Sequence, residues 1–177
     1  MNRIVSTLCC LALCSAPALA QKKAAGAAPM TDQQFVDFAA QTDMVEANLG
    51  QLAQNVAASQ PVKDYGQMLV TDHTADYKKL QDLAPQANVN VPTAIDAEHN
   101  KAMITPFEKL KGKAFDTRYI HEMVAGHTKA IAIYKKEAND ATDPTIKSYA
   151  QDAIPVLQKH LDDAKAIEQG KTPPNMQ

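Results

Sequence analysis

The sequence contains no tryptophan and only six glycines, and its three cysteines, Cys9, Cys10 and Cys14, all fall near the N-terminus. Aromatics make up 5% of the 177 residues. No strand signal is present, and the abundance of Ala, Leu, Lys, Gln and Asp suits helices. Basic and acidic residues number 18 and 20, with a net charge of -2 and no basic block, so no nucleic-acid partner is expected. Beyond the N-terminal segment no apolar run reaches the about 20 residues that cross a bilayer. Nucleotide-binding loops and a Ser-His-Asp arrangement are also missing, which leaves a hydrolase or an NTPase without support.

The N-terminal segment has the form of an export signal. Asn2 and Arg3 make a short polar start, Ile4 to Leu13 is apolar but too short to span, and Ala18-Leu19-Ala20 is a small-x-small cleavage site. Cleavage after Ala20 is expected, giving a periplasmic or secreted product with no transmembrane segment. Leu13 before Cys14 is too bulky for a lipidation signal. All three cysteines leave with the signal, so the mature chain has neither a disulfide nor a thiolate metal site.

Residues 21–30 read as a small-residue linker, residues 31–169 as one domain and residues 170–177 as a disordered tail. Thr31 and Gln34 form a capping-box signal. Phe35, Phe38, Thr42, Val45, Leu49, Leu52 and Val56 then alternate three- and four-residue steps, a seam for a partner helix, with Glu46 at its edge. Pro61 opens a second helix that should run to about Ala84, before Pro85. Ala97 to Leu110 predicts a shorter helix broken at Pro106. A third long helix starts near Ala114, with a seam of Ile120, Met123, His127, Ala130 and Tyr134. Asp143-Pro144 caps a fourth, carrying Ile146, Ala150, Ala153, Leu157, His160, Ala164 and Ile167, with Pro155 inside it. The fold class is therefore all-α. A four-helix bundle is expected, with a long crossover containing a short helix between the second and third long helices. A weak internal echo is visible as well. Val62-Lys63-Asp64-Tyr65-Gly66-Gln67 resembles Ile146-Lys147-Ser148-Tyr149-Ala150-Gln151, and His73-x-x-Asp76 resembles His160-x-x-Asp163.

The second helix places Asp72, His73 and Asp76 in the middle of its apolar stripe. Burying such groups without partners costs free energy. Each of the other helices brings one polar residue to the same level: Glu46, His127 and His160. With helix centres near residues 44, 73, 126 and 156, the four groups lie within about 7 Å of one level at 1.5 Å per residue. Helical bundles build metal sites in this way. The candidate metal ligands are His73, His127, His160 and Glu46, with Asp72, Asp76 and Asp163 supporting. Asp76 and Asp163 sit three residues after a histidine, placed either to bind metal or to hold that imidazole from behind. The plainer reading is a buried, satisfied hydrogen-bond network. His99 and His121 are read as surface, and Met123 as core filling.

The combination of an export signal, EANLGQL at 46–52, VKDYGQMLVTDH ending at His73, Phe115-Asp116-x-x-Tyr119 and Ile154-Pro155 followed by His160-Leu161 resembles the exported bacterial domain-of-unknown-function family 4142. That group is ferritin-like and often labelled outer-membrane or exported. The resemblance implies a ferritin-like bundle over about residues 31 to 169 and no established activity. Di-iron enzymes of that fold use Glu-x-x-His pairs, but Val70 and Leu157 occupy the glutamate positions here. An imidazole-rich site suits a single transition-metal ion such as Zn, Cu, Ni or Fe. The expected function is metal buffering, sensing or stress protection. The alternatives are an envelope structural protein with a protein partner and no metal, or a metal-dependent oxidase or peroxide-handling enzyme.

Overall fold

A computed structural model describes residues 30–174. The predicted signal peptide, nearly all of the linker and the last three residues lie outside them. Among the described residues the regular structure is all helical: α1 (Asp32–Val56), α2 (Gln60–Ala87), the short α3 (Ala97–His99), α4 (Gly112–Asp140) and α5 (Pro144–Glu168).

The helix starts follow the capping chemistry. Thr31 Oγ1 accepts from the Gln34 N–H, and Gln34 Oε1 accepts from the Thr31 N–H, closing the predicted box. Asp143 accepts from the Thr145 and Ile146 N–H groups ahead of Pro144. α2 outruns its expected end and carries Pro85 inside its last turn. A proline that late removes few intrahelical bonds, and the stop comes instead from Asn88, which is left-handed at φ 52°. At the far end of the domain, Gly170 is left-handed and the Lys171 N–H donates to Ala166 O at 2.8 Å, so the start of the predicted tail forms the cap of α5.

The connection between α2 and α4 is not the single broken helix that Ala97 to Leu110 predicts. It is one α turn, then a π turn over Asn100–Ile104 and a 3-10 turn over Thr105–Phe107, with Pro106 in the tight turn where its missing N–H fits. Two glutamines of α1 strap this connection down. Gln33 donates to Asn90 O and accepts from the Asn90 N–H, and Gln41 does the same with Ala94 O and the Asp96 N–H. The chain thus travels back along α1 before α4 begins.

The four long helices pack as two hairpins, α1 with α2 and α4 with α5, joined through α2 against α5 and α1 against α4. Each hairpin turn is clamped by a carboxylate from the other hairpin. Asp116 of α4 accepts from the Ala58 and Ser59 N–H groups, and Asp32 of α1 accepts from those of Thr142 and Asp143, all at 2.9 Å. The clamped turns, the clamping aspartates, and Tyr65 with Tyr149 repeat at one constant spacing along the chain. The weak sequence echo therefore has a structural counterpart. That spacing pairs Asp76 with His160, not His73 with His160. The contacts agree: Tyr65 OH donates to His160 O and Tyr149 OH donates to Asp76 Oδ2.

Two apolar clusters result. One holds Phe35, Leu80, Tyr134, Tyr149 and Leu157; the other holds Leu49, Tyr65, Leu69, Phe115, Tyr119 and Met123. The polar level lies between them. Where α1 meets α2, a β-carbon on Gly50 would stand 2.5 Å from Gly66 O, so the two backbones approach closely and only glycine fits. This contact turns α1 relative to the expected seam. Phe38, Thr42, Leu52 and Val56 are only half-buried, while Ala39, Asp43, Glu46, Gly50 and Ala53 face inward.

Candidate metal centre

Glu46, His73, His127 and His160, one from each long helix, meet in the layer between the two apolar clusters. All four are buried, with exposures of 3%, 3%, 0% and 1%. One ring nitrogen from each histidine lies within 4.8 Å of the others. His127 Nε2 is 3.2 Å from His160 Nδ1 and 3.3 Å from Glu46 Oε2, and His73 Nε2 is 2.8 Å from the same Glu46 oxygen. Glu46 is thus a full member of the cluster, deeper than the edge position its sequence spacing predicts.

The outer ring nitrogens fix the tautomers. His127 Nδ1 lies 3.0 Å from Met123 O, and a carbonyl can only accept, so Nδ1 carries the proton. His160 Nε2 donates to Asp72 Oδ2 at 2.8 Å, and His73 Nδ1 donates to Asp43 Oδ1 at 2.8 Å. Each imidazole is held from behind by an oxygen acceptor, so its other nitrogen points at the shared centre. When neutral, that nitrogen presents a lone pair.

The supporting residues sort differently from their sequence spacing. Asp72 and Asp76 are half-buried, at the edge of the α2 stripe and not within it. Asp72 reaches across to α5 and holds His160. Asp76 accepts from Tyr149 OH at 2.6 Å. Asp163 is fully buried one turn beyond His160, close enough to Tyr65 to add a small share to the burial and the Glu46 charge that push that phenol's pKa up. Asp43, 2% exposed, is the residue that sequence reasoning misses. Its signal was its position one turn before Glu46, but it falls off the seam that the larger apolar residues define. His99 and His121 stand apart from the centre, paired with Asp96 and Glu168, and Met123 lies in the apolar cluster.

The electrostatics of the cluster centre on a positive charge at His73. Burial opposes charge on this imidazole, but Glu46 and Asp43 on either side outweigh it and hold its pKa well above the usual value. Burial likewise works to raise Glu46, and the three surrounding histidines overcome it and bring the pKa down to about 2. Asp43 goes the other way: burial outweighs its bond to His73 and lifts it to about 7. His127 is pushed down to about 4 by burial, with Glu46 partly opposing, and burial lowers His160 too. Near neutral pH the layer therefore holds charged His73 and Glu46 beside two neutral imidazoles. His73 Nε2 and Glu46 Oε2 lie at ion-pair distance without hydrogen-bond geometry, and Asp43 Oδ2 is buried without a hydrogen bond. Unmet polar atoms of this kind at one buried point are costly and call for an electrophile to share.

Comparison with protein-family models matches residues 16–167 to the domain of unknown function DUF4142. The chain belongs to this family. No curated protein sequence matches this DUF4142 chain. Among solved structures, a similar one is "CopM in the Cu(II)-bound form", with a TM-score of 0.66 and 15% identity, covering 81% of this chain and 99% of that one. At that identity the likeness concerns the fold, and it supports the all-helical architecture. No helix among the described residues of this DUF4142 protein is long and apolar enough to cross a membrane.

Proposed function

We propose that this protein holds one transition-metal ion at the level of His73, His127, His160 and Glu46, and serves in metal buffering, sensing or stress protection outside the cytoplasm. The observation that carries this reading is the matched pinning of the three imidazoles. Asp43, Met123 O and Asp72 each take the outer N–H, which leaves His73 Nε2, His127 Nε2 and His160 Nδ1 turned toward one another and toward a carboxylate oxygen. In the metal-free protein a proton on His73 fills the role of the cation. Metal binding would displace that proton and let all four groups donate lone pairs.

The donor set of imidazole nitrogens and one carboxylate suits Zn, Cu or Fe, and the predicted loss of all cysteines removes the thiolates that would favour softer chemistry. CopM, solved with Cu(II), has a similar fold and makes Cu(II) the first ion to try. Asp72 and Asp43 support the site by orienting ligands and raising their basicity.

A second reading keeps the same residues as a buried polar network without metal, in an envelope protein that works through a protein partner. The bridging of His73 between Asp43 and Glu46 at 2.8 Å on both sides favours it. One experiment separates the two. The chain from Gln21 is purified without a histidine tag, exposed to Cu(II), Zn(II) or Fe(II) and desalted, and bound metal is measured by plasma mass spectrometry. Near-stoichiometric metal that disappears in a helical His73→Ala, His160→Ala double variant supports the metal site. No retained metal, and a melting temperature indifferent to metal and chelator, supports the network.

A further inference from the structure

The three histidines and Glu46 are sealed above and below by the two apolar clusters, so an ion must reach them sideways, between helices. Among the described residues, cavities open on two of the seams between helices. Between α2 and α5 lies a cavity of about 420 Å³ whose lining includes Asp72, His73, Asp76, Lys79, Asp152 and His160. Between α1 and α4 a smaller hollow of about 260 Å³ reaches Glu46 beside Gly126.

We infer that the cavity between α2 and α5 is the loading portal for a divalent cation, and that Asp72 is the residue that passes the ion inward. This inference rests on the metal-binding reading above and adds the route. Three observations carry it. First, the lining of this cavity includes two of the three histidines, among them His73, a side chain 3% exposed whose Nε2 lies 2.8 Å from Glu46 Oε2 at the shared centre without hydrogen-bond geometry. Second, Asp72 belongs to both environments. Its side chain is 30% exposed in the cavity, yet its carboxylate is 2.8 Å from His160 Nε2. A carboxylate in that position meets a hydrated cation first and stays attached to the site behind it. Third, the two seams differ in charge. Asp72, Asp76 and Asp152 outnumber Lys79 and Lys159 around the α2–α5 cavity, whereas Arg118 and Lys129 flank the α1–α4 hollow with only Glu122 on its exposed rim. Negative potential at a mouth raises the rate at which cations arrive. The Lys79–Asp152 ion pair, 3.3 Å across the mouth, joins α2 to α5 through exposed side chains that can part without disturbing the core.

The test is stopped-flow loading with Cu(II), followed by removal with a chelator in excess. Val156 is exposed on the portal wall and is not in the polar cluster, so Val156→Trp narrows the portal while leaving the ligands intact. Ala125→Trp places the same bulk on the other seam. Val156→Trp is expected to slow loading and release together by about tenfold, so that equilibrium affinity changes little. Asp72→Asn is expected to slow loading by about threefold or more, with a weaker salt dependence. Ala125→Trp is expected to leave both rates unchanged. Slowing by Ala125→Trp, or no slowing by Val156→Trp in a protein that still binds Cu(II), overturns the portal and leaves the metal site standing. Failure of the unsubstituted protein to bind Cu(II), Zn(II) or Fe(II) at all overturns the metal reading and the portal with it.

Discussion

At the polar level the first hairpin supplies four acids, Asp43, Glu46, Asp72 and Asp76, with one histidine, whereas the second supplies His127 and His160 with one acid, Asp163. The two halves otherwise match. Each has its turn clamped by an aspartate of the other, and each sends a tyrosine from its second helix to the opposite hairpin. The constant spacing that pairs the clamps also pairs Asp43 with His127 and Asp76 with His160. One frame has therefore been filled mainly with acids on one side and mainly with imidazoles on the other. Two acidic halves would gather buried negative charge that only extra protons or cations could offset, and two imidazole halves would lose the carboxylates that hold His73 and His160 from behind. The mixed filling lets carboxylates orient histidines and still leaves lone pairs at the centre.

The largest effect should come from erasing that difference. His127→Asp with His160→Asp makes both halves acidic. Calorimetric titration with Cu(II) should show affinity falling by about a thousandfold or more, roughly 4 kcal/mol. Retained affinity would show that the imidazoles of the second hairpin are not ligands. Next, Gly50→Ala should weaken the first hairpin alone, by about 1–3 kcal/mol in urea unfolding, because its β-carbon collides with backbone and not with a movable side chain. The clamp variants Asp32→Ala and Asp116→Ala should each cost about 1–2 kcal/mol, and by similar amounts, since each removes two charge-assisted hydrogen bonds from backbone N–H groups of a turn. A wide gap between them would break the likeness of the two turns. The smallest effect is expected at the tyrosines. Tyr149→Phe should cost about 1 kcal/mol and Tyr65→Phe less, because Tyr149 donates to a carboxylate at 2.6 Å and Tyr65 to a carbonyl at 3.2 Å.

The same contrast sets the response to pH. His127, lowered from 6.5 to about 4, contributes stability that is present above pH 6.5 and lost as pH falls through 4. Glu46, lowered from 4.5 to about 2, adds a further loss as pH falls below 4.5. The alkaline side belongs to the Asp43–His73 pair. The contribution of Asp43, raised from 3.8 to about 7, is lost as pH rises through 7, and that of His73, raised above 6.5, is lost as pH rises past its folded value. Urea midpoints across pH should therefore fall on both sides. His127→Gln should soften the acid limb and Asp43→Asn the alkaline one. Apparent metal affinity should rise with pH until the raised pKa of His73 is passed, because the ion displaces the His73 proton.

Much of this arrangement was legible in the sequence, for local reasons. Thr31, Gln34, Asp143 and Pro144 announce helix starts through bonds that span only a few residues. The α4 seam from Ile120 to Tyr134 reads correctly because Ile120, Met123 and Tyr134 mark it with large side chains that are buried. The level of Glu46, His73, His127 and His160 follows from helix length alone. The α1 face was harder to read. Its rotation is set by the Gly50–Gly66 approach, a contact between distant residues that favours small side chains and hides Asp43 from any pattern of large apolar ones. Asp72 and Asp76 misled in the opposite sense. Their spacing fits the stripe, but helix α2 turns only His73 fully inward and leaves the two carboxylates to face α5. Which carboxylate serves which imidazole depends on packing between helices, within a hairpin for Asp43 and His73 and across hairpins for Asp72 and His160, and helical periodicity carries no information about that.

The most direct measurement is pulsed electron paramagnetic resonance on the protein loaded with one equivalent of Cu(II), read for nitrogen couplings from coordinated imidazole. The expected result is coupling to three histidines, reduced to two in His127→Gln and again in His160→Gln, with His99→Gln and His121→Gln spectra unchanged. Couplings that vanish in the His99 or His121 variants, or a spectrum with no coordinated imidazole, would contradict a metal centre at the meeting point of the two hairpins.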